Sequence, residues 1–192
     1  LTDEGVRDLG RAAAVTFLRE GIDKVVVGRD VRHSGERYFA ALTEGLLESG
    51  IDVVNIGQVP TPTFYFASRV WDIPGGIMIT ASHNPSEYNG FKVLRGETTI
   101  YGENIRELYK IAESGKFADS SERGSITDRD AKIEYIRYLI DNISLDRPVK
   151  FAVDGGNGTA GLVASEIFSG LGCNPVELFM EPDGSFPNHH PD

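Results

Sequence analysis

The chain has 192 residues, 40% hydrophobic and 25% charged, with a formal net charge of −10. It can bury a real core as one domain or as one domain and part of another, and its charge argues against nucleic acid or an anionic membrane as a general partner. Apolar runs such as Val25-Val26-Val27 are far too short to cross a bilayer, and a lone cysteine, Cys173, excludes an internal disulfide.

In chain order, Leu1 to Glu20 predicts a helix. Thr2 can cap it, Val6, Leu9, Ala13, Phe17 and Leu18 mark an apolar stripe, and Gly21 ends it. The β-branched run in Lys24 to Val27 predicts a buried strand, followed by a polar loop over Gly28 to Gly35. Glu36 to Ser49 reads as a helix closed by Gly50, and Asp52 to Ile56 as the next strand. Pro60 and Pro62 punctuate a loop before a short helix over Thr63 to Trp71. Gly75 to Thr80 and Phe91 to Leu94 read as strands. Gly102 to Ser114 and Asp128 to Ile143 read as amphipathic helices, with a polar loop over Gly115 to Gly124 between them.

The order strand, loop, helix, glycine, strand then occurs a second time. Lys24 to Asp30 leads to Gly50 and Asp52 to Ile56, while Lys150 to Gly156 leads to Gly172 and Pro175 to Phe179. Each is a right-handed βαβ candidate, which suggests two related α/β domains, although such units resemble one another without any duplication. A boundary near Arg147-Pro148 divides the chain into 1–147 and 148–192.

Chemistry-bearing groups gather in "TASHNPSEYNGFKV", Thr80 to Val93. Ligands in open α/β sheets collect at the carboxyl ends of strands, where Ser82 falls. Asn89-Gly90 is a turn signal, because both residues tolerate positive φ, and it would return the chain into the next strand. That accounts less well for Ser82-His83-Asn84 followed by Lys92, since a serine hydroxyl needs a base, a metal or a phosphate to gain a role. Gly28-Arg29-Asp30, with Arg32 and His33 behind it, suits an anion, or else an Arg–Asp pair bracing the loop. The glycine-rich run Asp154 to Thr159 could cradle a phosphate but lacks a P-loop lysine, so a tight strand-to-helix connection is the simpler reading. His189-His190 is set aside as a metal pair, because adjacent strand residues point to opposite faces. The glycosylation patterns at Asn142 and Asn157 are read as unused.

The Thr80 to Val93 segment resembles the phosphoserine loop of the α-D-phosphohexomutases, particularly the phosphomannomutase/phosphoglucomutase branch. "GRDVRHSG" at Gly28 to Gly35, "GQVPTPTFYFA" at Gly57 to Ala67 and "VDGGNGTAG" at Val153 to Gly161 extend the resemblance in order along the chain. It implies a mixed-sheet α/β sandwich domain followed by the start of a second, similar α/β domain. It further implies an intramolecular phosphotransferase that interconverts hexose 1-phosphate and 6-phosphate of mannose or glucose, through a phosphoserine enzyme and a bisphosphorylated sugar. By that resemblance Ser82 carries the phosphoryl group, Lys92 is the general acid/base, His83 and Asn84 flank the phosphoserine, and Arg29 and Asp30 support the loop. Mg²⁺ would bind through the Ser82 phosphate, with its aspartate ligands beyond Asp192, and a hexose 1,6-bisphosphate would act as activator and intermediate. Phosphorylated hexoses are the implied partners and the cytoplasm the implied location.

Neither the family's "Y-D-I-R-G"-like arginine motif nor its D-G-D-G-D-R metal loop occurs in the sequence. The expectation is therefore an N-terminal piece of a mutase, with little or no activity by itself. The alternatives are a phosphoglucosamine mutase and a non-catalytic phosphosugar-binding module. The joint presence of Ser82, Asn84 and Lys92 disfavours the latter.

Overall fold

Val25, Val26 and Val27 lie wholly out of solvent, so both faces of the strand that carries them are covered. In the computed structural model, which describes residues 1–190, that strand is β1 (Lys24–Arg29). With β2 (Asp52–Gln58), β3 (Gly75–Ile79), β4 (Phe91–Arg95), β5 (Thr98–Thr99) and β6 (Ile126–Asp128) it forms a six-stranded sheet of order β5-β4-β3-β1-β2-β6. β1, β2, β3 and β6 run parallel, whereas β4 is antiparallel to β3 and β5, so the sheet is mixed as expected.

Side-chain parity then sorts the core into two layers. Val25, Val27, Ile77 and Ile79 meet Phe17 of α1 (Asp3–Arg19), Leu42 of α2 (Gly35–Glu48) and Leu108 of α4 (Glu103–Ser114). Val26, Ile56, Met78 and Leu94 face Phe64 of α3 (Thr61–Val70) on the other side. α1 is capped by Thr2, whose Oγ1 accepts the Gly5 N–H at 3.1 Å. Its buried face is Val6, Ala12 to Ala14, Thr16 and Phe17, and Leu18 lies off that face, 39% exposed. α1 and α2 approach closely because Gly10 and Gly45 lack side chains. A Cβ would lie 2.3 Å from Leu42 O at the first and 2.1 Å from Arg7 O at the second. Beside this contact Glu48 accepts from Arg7 Nε at 3.1 Å and Arg11 Nε at 2.8 Å, and these bonds, Arg7's first, hold its carboxyl down at about 2.

Two local readings change. Asp128 belongs to β6 rather than to a helix, and the helix that follows, α5 (Lys132–Asn142), begins four residues later. The cause is β-pairing with β2, reinforced where the Asp52 carboxylate accepts both the N–H and the hydroxyl of Ser125 at 2.8 Å. α3 likewise begins at Thr61, with Pro62 in its first turn, where a missing N–H costs nothing.

The second βαβ unit also forms. β7 (Ala152–Asp154) and β8 (Val176–Leu178) pair in parallel around a 3₁₀ turn and α6 (Ala164–Gly170). Its small core, Val163 and Ile167, packs on Ile136 and Leu139 of α5. Among the described residues no helix is long and apolar enough to cross a membrane.

Candidate active site

The carboxyl ends of β1 and β3 are neighbours, so the loops leaving them meet at one edge of the sheet. β4 returns antiparallel to β3 with Lys92 opposite Met78, which brings Lys92 to the same edge. The loop from β3 is pinned at its base, where Thr80 N–H donates to Gly90 O at 2.9 Å.

Within it the chain reverses at Ser82 to Asn84 and again at Ser86-Glu87. Ser82 occupies the left-handed region at φ 56°, and its N–H donates to Thr80 Oγ1 at 3.0 Å. Asn84 folds back on Ala81 O through its N–H at 3.1 Å and its Nδ2 at 2.8 Å. Ser82, His83 and Asn84 are all exposed. Asn89-Gly90 is not the turn, and neither residue has a positive φ. The Asn89 side chain is used elsewhere: Nδ2 donates to Ser34 Oγ at 2.9 Å, and Oδ1 accepts the Gly90 N–H at 2.9 Å.

The arginines after β1 divide. Arg29 pairs with Glu36 of α2 and lies over the Phe39 ring at 5.5 Å. Arg32 turns inward and is buried. Its N–H and Nε each donate to one Asp30 oxygen at 3.0 Å, and its guanidinium reaches carbonyls of the Ser82 loop. Asp30 thus pairs with Arg32, two residues on, and the reading of Arg32 as an anion-binding group gives way to a loop anchor. The sequence signalled the charge but not where it points.

A cleft of about 700 Å³ opens here, lined by Ser82, His83 and Lys92 on one side and by Asp154, Thr159 and His189 of the second unit on the other. A cleft of about 650 Å³ at the amino ends of β1 and β2 has similar size. Residue chemistry, not volume, therefore picks the site. The glycine-rich run is no phosphate cradle: the N–H groups of Gly155, Gly156, Asn157 and Gly158 already donate to Leu178 O, Asp154 Oδ1, Phe179 O and Gly155 O. It is the tight connection that its sequence suggested.

His189 forms a pair that the sequence did not reveal. Its Nδ1 is 2.7 Å from His190 O and its Nε2 is 3.1 Å from both Asp154 oxygens. A carbonyl and a carboxylate can only accept, so both contacts are hydrogen bonds only when the ring carries two protons. Consistently, the His190 carbonyl and then Asp154 raise the His189 pKa, while the Gly156 N–H and then His189 lower that of Asp154. Among the described residues no group of three His, Cys, Asp or Glu side chains converges as a cation site. Asp30 and Asp154 are engaged by Arg32 and His189, so these residues do not by themselves fit a magnesium ion.

Comparison with known proteins identifies relatives of this arrangement. The family model described as phosphoglucomutase/phosphomannomutase, alpha/beta/alpha domain I, matches residues 1–119, and that for domain II matches 133–192. A phosphoglucomutase of Neisseria meningitidis is 44% identical over all 192 residues, which cover 42% of its length. A phosphomannomutase/phosphoglucomutase of Pseudomonas aeruginosa is 41% identical over the whole chain, which covers 41% of its length. A crystal structure of a phosphoglucomutase/phosphomannomutase family protein from Burkholderia thailandensis superposes with a TM-score of 0.94 at 42% identity, covering all of this chain and 43% of the other. The chain thus spans about two fifths of the length of the curated relatives it matches.

Proposed function

The chain belongs to the phosphoglucomutase/phosphomannomutase family, and on that premise we propose that it is the N-terminal part of a phosphohexomutase acting on mannose or glucose phosphates. The observation that carries the reading is the position of Ser82, exposed and left-handed at the carboxyl end of β3, lining the same cleft as Lys92. A serine so placed makes sense as a phosphoryl carrier. In the first half-reaction the bond between phosphorus and Ser82 Oγ breaks as a bond to a sugar hydroxyl oxygen forms, and Lys92 takes the hydroxyl proton. The bisphosphorylated sugar then turns over, and the other phosphoryl group returns to Ser82 while the freed sugar oxygen regains a proton. Such transfer depends on in-line geometry, charge neutralisation and exclusion of water. His83 and Asn84 flank the transferred group, and Asp30 supports the loop through Arg32, with Arg29 bracing the end of β1. Mg²⁺, if held through the phosphate on Ser82, would need carboxylates from outside this chain and would supply charge neutralisation there. A hexose 1,6-bisphosphate would charge the serine.

The same reading places domain I at 1–147 and the start of domain II at 148–192, makes the isolated chain inactive, and puts the enzyme in the cytoplasm with its phosphorylated substrates. Intact mass and turnover test it. The full-length enzyme treated with glucose 1,6-bisphosphate is expected to gain one phosphate on Ser82, and Ser82→Ala is expected to abolish mutase activity. An alanine variant with near-normal turnover sinks the assignment.

A further inference from the structure

Arg32 is as buried as the hydrophobic core, its side chain 0% exposed, in a chain whose other arginines reach solvent or the surface. A buried guanidinium is costly unless every donor is met. It has five N–H groups to satisfy. Nε–H donates to Asp30 Oδ2 at 3.0 Å. Nη1 donates to Pro85 O and, at 3.0 Å, to Tyr88 O. Nη2 donates to Ser82 O at 3.0 Å and Asn84 O at 2.6 Å. The five donors are thereby assigned, and none is left over for a phosphate.

We propose that Arg32 is a positioning residue for the phosphoryl-carrying serine, acting through the backbone of its loop; this rests on the reading of Ser82 as the carrier. Three facts carry it. Arg32 binds the carbonyl of Ser82 itself and three carbonyls beyond it, so the loop is wrapped around one rigid, planar group. Ser82 sits at φ 56°, where a side chain with a Cβ is disfavoured and persists only when its surroundings fix it. The second unit covers the anchor as well. The Phe186 ring lies 5.3 Å from the guanidinium carbon, and a Cβ on Gly184 would come within 2.4 Å of Val31 O. The segment that seals the guanidinium thus comes from the second unit, while Asp30 at the end of β1 orients it. Arg32 touches neither the transferred phosphate nor the sugar. It sets where the Ser82 oxygen stands.

The experiment uses the full-length enzyme carrying Arg32→Ala and, separately, Arg32→Lys, whose ammonium offers three donors in place of five. A displacement of about 1 Å at a reacting atom costs on the order of 10²-fold in rate. Arg32→Ala is therefore expected to lower kcat about 100-fold and leave KM within about threefold, with Arg32→Lys intermediate. Added guanidinium ion is expected to restore kcat of the alanine variant, whereas sodium chloride of equal ionic strength is not. Amide exchange over residues 82–88 is expected to accelerate by roughly an order of magnitude while that of β1 and β3 is unchanged. A kcat within about threefold of wild type, or exchange over 82–88 that does not move, overturns the proposal. Should Arg32→Ala fail to fold, the same readouts on Arg32→Lys decide it. If wild-type enzyme takes up no phosphate on Ser82, the functional reading fails, and the exchange measurement alone then decides whether Arg32 holds the loop.

Discussion

The β1–α2–β2 unit and the β7–α6–β8 unit share their order of parts and their parallel pairing, yet they differ in what surrounds them. β1 and β2 have six and seven residues and are largely buried, whereas β7 and β8 have three each and no fully buried residue. α2 runs for 14 residues and α6 for seven. The first unit sits inside a six-stranded sheet with helices on both faces, while the second forms a two-stranded sheet whose connecting helix α6 packs on α5. A two-stranded sheet has little stability of its own. The same supersecondary plan thus gives a core in one place and a wall in the other, and the cleft lies between them.

The largest effects should separate the two regions. Phe17→Ala removes a fully buried ring from the first core, a change costing about 3–5 kcal/mol and expected to lower Tm by roughly 10 °C. Ile167→Ala, in the small core on α5, should speed amide exchange over 152–178 while shifting the main thermal transition by less than about 2 °C. Equal shifts in the two variants would show one cooperative unit and break the comparison.

Glu48→Gln probes the joint between α1 and α2 in the first region. Losing charge-assisted bonds of this kind is expected to cost about 2 kcal/mol at pH 7. Because the folded carboxyl is held down at about 2 from its ordinary 4.5, its contribution is complete above pH 4.5 and fades as the pH falls towards 2. Chemical denaturation of both proteins across that range should therefore converge at the acid end, and a gap that stays constant contradicts the ion-pair origin.

His189→Gln probes the wall and should have the smallest effect. The Asp154 carboxylate is lowered from 3.8 and the His189 ring raised from 6.5, so the clasp is strongest between those values. It is lost as the pH rises through the raised histidine value. Exchange at Gly155 to Asn157, corrected for intrinsic rates, is expected to be roughly threefold faster in the variant at pH 6. At pH values above the raised histidine value the two proteins should approach each other. A variant indistinguishable from wild type at pH 6 would remove the clasp from the wall.

Much of this was legible in the residues. Strands β1 to β4 and helices α1 and α2 carry long apolar patterns, and their bounds match the reading to within two residues. β6 was hidden because it has three exposed residues and owes its place to pairing with β2. At the site, the segment was legible but its geometry was not. Asn89-Gly90 carries a strong local turn signal, yet the Asn89 side chain is taken up by Ser34, 55 residues away in sequence. Positive φ falls instead on Ser82, a residue with no special preference for it.

The sequence alone therefore determined the succession of the long elements and most of the faces they bury, while the family resemblance singled out Ser82, His83, Asn84 and Lys92. The elements follow from periodicity and chain order and the residue set from a contiguous motif, and all of these are local properties. Only the tertiary structure decided that Arg32 grips the serine loop rather than an anion, and that His189 clasps Asp154. Arg32 and Pro85 are 53 residues apart, and His189 and Asp154 are 35 apart. A charged side chain's role is set by whichever acceptor the fold brings within reach, and no local pattern encodes that distance.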